Sequence, residues 1–201
     1  MTETNMRRVA LVLTLLSVLV LYACGRAPSP EPEAPSYVPA RWDSAPGSAQ
    51  WTASALSSLD SHSAALVKLV PADIDDYCPG YEAAGESSRK EFWVNLVASL
   101  SFHESTWKPY VSGGEGRWHG FLKIAPATAR GYGCQAGDAG KLKDGALNVS
   151  CGLRIMAVTV PRDGVISAGM RGVAADWGPF HQQDKRRDIQ SYTNSLPYCR
   201  K

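Results

Sequence analysis

Glu104 stands in the stretch Ser101-Phe102-His103-Glu104-Ser105-Thr106-Trp107, where an amphipathic pattern ends and a glycine-rich, aromatic loop begins. A carboxyl group at the end of such a helix is buried on one side, and burial disfavours its charged form and raises its pKa. The chemistry open to it is proton donation, the work of an acid catalyst inside a cleft. Neighbouring groups offer little competition. Ser105 has no Gly-x-Ser-x-Gly elbow around it and does not read as a nucleophile. His103-Glu104 invites comparison with a zinc-protease helix, but Trp107 stands where the second histidine belongs, and no Cys-x-x-Cys or paired-histidine spacing occurs. Neither a metal nor a cofactor is expected. His103, His119 and His181 read as packed or surface histidines.

Holding that carboxyl in place falls to a helix. Ser88 and Glu91 have the spacing of a capping box, and Phe92, Trp93, Leu96, Val97 and Leu100 follow as an apolar stripe. Leu100 to Glu104 is one further turn, so Glu104 projects near the buried face. Upstream, Leu56, Leu59, Leu66 and Leu69 recur at helical spacing with one longer step before Pro71, predicting a helix over 51–70. Pro109, Gly113, Gly114 and Gly116 predict a loop, or at most a short hairpin, between Trp107 and Gly120. A helical turn is expected over 128–133, helices over 146–159 (stopped before Pro161) and 184–194, and a glycine-weakened helix over 165–177. The fold class is mainly α (α+β), with a small irregular loop or sheet region and no internal repeat.

The first 23 residues carry Arg7 and Arg8 and then an apolar run from Val9 to Leu21. That run is too short for a comfortable membrane span and reads as a secretion signal. Leu21-Tyr22-Ala23-Cys24 resembles the lipobox of bacterial lipoproteins, with Tyr22 larger than the usual residue there. Cys24 is then the lipid-modified residue, and Gly25 after it matches the sorting pattern for the outer membrane. More than one acyl chain is needed for firm anchoring, since each buried methylene contributes about 0.8 kcal/mol. The protein is expected on the periplasmic side of a bacterial membrane, anchored and not spanning.

Residues 24–50 are rich in proline, serine, alanine and glutamate, with prolines at 28, 30, 32, 35, 39 and 46. This is a linker, either a tether reaching roughly 80 Å if extended at about 3.1 Å per residue or a leader without mechanical purpose. Residues 51–201 remain as one domain with a single core. Loss of the signal leaves 19 basic and 18 acidic residues, with no clustered basic face. Nucleic acid is therefore not an expected partner.

With Cys24 assigned to lipid, Cys78, Cys134, Cys151 and Cys199 form an even set in an exported chain, where disulfides are expected. Three connectivities are possible and the sequence does not choose among them. The pairing favoured here is Cys134 with Cys151, a local closure, and Cys78 with Cys199, joining the start of the domain to its end.

Several motifs occur in a telling order. Glu104-Ser105 is followed, sixteen residues on, by Gly120-Phe121-Leu122-Lys123-Ile124, then Pro126, Thr128 and Ala129, then Asn148 four positions before Gly152, then Ala174-Ala175-Asp176-Trp177-Gly178. Over about a hundred residues, from Phe92 to Gly178, this order resembles the SLT-type lytic transglycosylases, enzymes related to goose-type lysozyme that cut peptidoglycan glycan strands. The resemblance implies a lysozyme-like helical domain in which Glu104 is acid and then base, and Ser105 helps to orient it. The muramyl 6-hydroxyl then attacks to leave a 1,6-anhydro end, without consuming water. It also implies a substrate groove several sugars long beside Glu104, touched by Gly120, Lys123, Ile124, Asn148, Asp176 and Trp177. Among the aromatic residues able to stack on sugar rings, Trp118 and Tyr132 are the ones placed in the cleft.

Two positions depart from that family. Lys123 replaces a glutamine, and an ammonium near Glu104 favours the ionised carboxylate. Asp176-Trp177 replaces a Tyr-Asn pair; an aspartate entering the cleft would raise the Glu104 pKa or supply the second carboxylate that a hydrolase uses. Three functions follow as expectations: a peptidoglycan lytic transglycosylase, a lysozyme-type hydrolase, or a wall-binding lipoprotein that cuts nothing. Arg186 and Arg187, next to Lys185, read as a solvated helix face.

Overall fold

A computed structural model describes residues 39–200. The signal segment, Cys24 and most of the proline-rich stretch lie outside the described residues. The packed body begins ahead of residue 51: Ala40 and Trp42 are buried, and Trp42 meets Trp51 edge-on with ring centroids 5.8 Å apart. Phe121 closes this aromatic cluster at 5.1 Å from Trp51. Composition alone gave residues 39–50 to the linker, because two prolines and small residues mask one core tryptophan.

The helix expected over 51–70 is two, α1 (Ser48–Leu59) and α2 (Ala64–Lys68). The break follows from the serines between them. Ser58 and Ser61 turn their hydroxyls back to the carbonyls of Ser54 and Ser57, and the Ser63 amide bonds Ser58 O at 2.8 Å. Such local bonds compete with helix propagation.

Helix α3 (Glu86–Ser105) begins after Gly85, so Ser88 lies inside its first turn and no Ser88 cap is used. Every residue from Phe92 to Ser101 is buried. The helix is therefore central, enclosed on all sides, where the sequence predicted a single apolar stripe. Two polar side chains on the enclosed faces are well partnered, while the Ser99 hydroxyl is buried without a partner: Trp93 Nε1 donates to Leu66 O at 3.0 Å, and the Asn95 amide bridges Pro39 O and the Arg41 amide.

After α3 comes a two-stranded antiparallel hairpin, β1 (Ser112–Gly113) and β2 (Trp118–His119), with Ser112 opposite His119. Helix α4 (Pro126–Gly131) follows, and then α5 (Gly145–Asp163), capped by the Asp144 carboxylate on the Leu147 amide. Helix α5 runs through Pro161 instead of stopping before it. A proline in the last turn removes one hydrogen bond only, and the stop comes from Gly164 at φ 71°.

Residues 165–177 are not a continuous helix. Two short 3-10 turns, Ala168–Met170 and Gly172–Ala175, flank an extended Arg171 and carry positive-φ backbone at Gly169, Met170 and Gly172. Two features enforce this. The Asp73 carboxylate takes the amides of Ile166, Ser167 and Ala168, and a Cβ on Gly172 would lie 2.0 Å from Val165 O. Helix α6 (Gln183–Asn194) packs on α3 and completes a mainly α fold with one small sheet. Both favoured disulfides are present, Cys78–Cys199 and Cys134–Cys151, with Cα separations of 4.4 and 5.2 Å.

Candidate active site

Helix α3 ends because Thr106 and Trp107 adopt left-handed backbone, φ 54° and 56°. Trp107 then folds back, its Nε1 donating to Ala98 O at 2.9 Å. Glu104, in the last turn, keeps 13% of its side chain exposed. Burial is the largest influence on it and raises its carboxyl above the ordinary range; Lys123 and Lys185 act in the opposite sense. The balance is upward, so the lysine does not disable the acid.

Lys123 reaches Glu104 from a second element. Its Nζ lies 3.7 Å from Oε2, and the approach is fixed by a tight turn. His119 and Ile124 exchange backbone hydrogen bonds at 3.0 Å, and the turn between them needs φ 78° at Gly120 and φ 51° at Lys123. A Cβ on Gly120 would strike Leu142 O and the Asn148 side chain. The stem of Lys123 passes over Gly113, where an added Cβ would sit 3.5 Å from Cδ.

Three residues expected to touch substrate instead hold this turn. Asn148 is fully buried; its Oδ1 accepts from the Leu122 amide at 2.9 Å, and its Nδ2 donates to His119 O and Leu142 O. Gly120 is required by the close approach just described. Trp177 is 4% exposed and donates from Nε1 to Leu122 O. Their types are dictated by backbone groups that need partners, which motif order alone does not separate from ligand contact. Asn148→Ala is expected to cost about 3 kcal/mol, three bonds at about 1 kcal/mol each, and to lower activity by loosening Lys123. Urea denaturation checks the first effect.

Ser105 donates to Ser101 O at 3.2 Å and does not reach Glu104. His103 is turned away as well: its Nε2 lies 2.7 Å from Asp188 Oδ2 on α6, and the Arg41 guanidinium takes both oxygens of that carboxylate. Trp118 is 41% exposed, with its ring against Gly114 and the Arg117 guanidinium 5.0 Å from its centroid. With Lys123, Ile124, Asp176 and Trp177 it lines a recess of about 70 Å³. That is short of a groove for several sugars. A larger depression, about 730 Å³, lies on the side of Trp107, Tyr110, Trp51 and Lys143.

Asp176 does not act on Glu104. Its charge bears on Tyr132, whose hydroxyl is raised first by burial and then by this carboxylate. Sequence reasoning missed Lys185, placing it on a solvated face. Arg186 is half-buried, its guanidinium donating to Phe180 O at 2.6 Å, while Arg187 is exposed as expected. It also passed over Glu115, at the exposed tip of the hairpin with φ 58° between Gly114 and Gly116. The available signal was a lone carboxylate flanked by glycines within a turn. Among the described residues no group of three or more His, Cys, Asp or Glu is placed to hold a metal ion, and no helix is long and apolar enough to cross a membrane.

No protein-family model matches the chain, and no curated protein matches it. Solved structures of Bd0314 DslA do. The wild-type form 2 is 26% identical, with a TM-score of 0.73 over 81% of this chain and 98% of that one. Two mutant forms, each with a glutamate replaced by glutamine, are 27% and 26% identical with TM-scores of 0.74. The first covers 81% of this chain and 98% of that one, the second 83% and 100%. This chain is similar in fold and sequence to Bd0314 DslA.

Proposed function

We propose that the chain cleaves the β-1,4 bond between N-acetylmuramic acid and N-acetylglucosamine in peptidoglycan. The observation that carries this is Glu104: an enclosed carboxyl at a helix end, raised by burial and faced by the turn that bears Lys123. A protonated carboxyl gives its proton to the glycosidic oxygen as the bond to the anomeric carbon breaks and positive charge grows on the ring. The motif order supports completion by the muramyl 6-hydroxyl, with the Glu104 carboxylate taking that proton back. Lipid attachment at Cys24 and an outer-membrane position on the periplasmic side are part of the same reading, supported by the lipobox-like segment.

A second reading, hydrolysis, is favoured by Glu115. The two glutamates replaced in the mutant forms of Bd0314 DslA are eleven residues apart, the separation of Glu104 and Glu115. A second carboxylate is what hydrolysis adds, either as nucleophile or as the base that activates water. Digestion of purified sacculi with mass analysis decides between the readings. Anhydro-muramyl ends with turnover retained in Glu115→Gln support transglycosylation. Reducing muramic ends, with turnover falling about 100-fold or more in Glu115→Gln, support hydrolysis. Intact sacculi after prolonged incubation remove both.

A further inference from the structure

The charge around Glu104 does not balance in the state the chemistry needs. Lys123 faces it from the turn after β2, and its only ion-pair partner among the described residues is Glu104, at a loose 3.7 Å. Lys185, on α6, bears on Glu104 through its charge and favours the ionised form. One turn further along α6, Asp188 bonds His103, the residue before Glu104, which sets that turn of α6 against the end of α3. Asp188 does not compensate the lysines, because Arg41 occupies both of its oxygens. Asp176 bears on Tyr132 and is opposed by Arg162. When Glu104 is protonated to act as an acid, two ammonium groups therefore face the site without a carboxylate.

We propose that Lys123 and Lys185 form a recognition site for a carboxylate substituent of the glycan, and that occupation of this site arms Glu104. The inference rests on the glycan-cleaving reading and adds the substrate class, strands whose ring substituents bear free carboxylates. An anion seated on both lysines neutralises the charges that favour ionised Glu104, and the proton is then held more firmly. Anion binding and proton uptake are coupled, so each strengthens the other by the same factor. The Lys123 stem lies along Gly113, and the residue lines the recess it shares with Trp118 with its side chain 36% exposed, so an anion can reach its three N–H donors.

The test compares native sacculi with sacculi whose carboxyls have been amidated, using cosedimentation in the cold for binding and dye release for turnover. Wild-type protein is expected to prefer native walls by about five-fold or more, the range of a partly exposed charge pair. Lys123→Gln combined with Lys185→Gln is expected to bring that ratio close to one. On amidated walls the double variant should stay active to higher pH than wild type, because removing two cations leaves Glu104 protonated further up the scale. Lys123→Arg, which keeps the charge, should keep the preference. Equal binding and equal turnover of the two walls by wild type overturn the proposal, as does a double variant that retains the preference. Preferential binding without any cutting keeps this site and removes the glycan-cleaving reading; cutting without preference does the reverse.

Discussion

Glu104→Gln is expected to lower turnover of sacculi on the order of 10³-fold, the range in which loss of a positioned general acid is felt. Glutamine matches the shape of the side chain and leaves the end of α3 and the turn of Lys123 in place, so binding of sacculi should survive. Stability supplies the control. The folded-state pKa of Glu104 lies above that of an exposed glutamate because of burial. Its ionised form therefore costs stability at pH values above that raised pKa, and the cost disappears as pH falls below the unfolded value. The glutamine variant should melt no lower than wild type at neutral pH, with any advantage shrinking in acid. A variant that melts well below wild type would show a structural role for Glu104 in place of a chemical one. Turnover within about ten-fold of wild type would remove Glu104 as the acid.

Loss of the Cys78–Cys199 disulfide should have the largest effect on stability. The bridge spans 121 positions, against 17 for Cys134–Cys151. On the chain-entropy argument the longer closure contributes about 4–5 kcal/mol and the shorter about 3 kcal/mol. The two ends also pack tightly: the Gly80 amide donates to Cys199 O at 3.0 Å, and a Cβ on Gly80 would lie 2.3 Å from Tyr198 O. Cys78→Ala with Cys199→Ala should lower the urea midpoint more than Cys134→Ala with Cys151→Ala, and should raise the m value because the freed chain exposes more surface. An equal or smaller loss for the longer bridge would mean that native packing, not chain closure, sets the stability.

Much of the site's scaffold could be read from residues in order, because local spacing determines it. The Phe92 to Leu100 pattern gave α3 and put Glu104 in its last turn, and Lys123 stands beside Glu104 as the motif spacing implied. Roles were harder to read than positions. Asn148 and Trp177 occupy motif positions yet spend their polar atoms on the backbone of the turn, and only the three-dimensional partners distinguish that from contact with a sugar. Lys185 bears on Glu104 across 81 positions of sequence and Arg41 lies over Phe102 across 61, separations that no helical or strand period encodes. The serine run after Ser57 broke a helix through side-chain bonds that apolar spacing does not register.

A single cut anywhere between residues 78 and 199 leaves both fragments joined by sulfur. Arg117, exposed at the hairpin tip, offers trypsin such a place. The nicked protein would run as one band on a gel until reductant is added. A cut in the hairpin need not scatter the pieces, since α3 on one fragment stays covalently attached to α6 on the other.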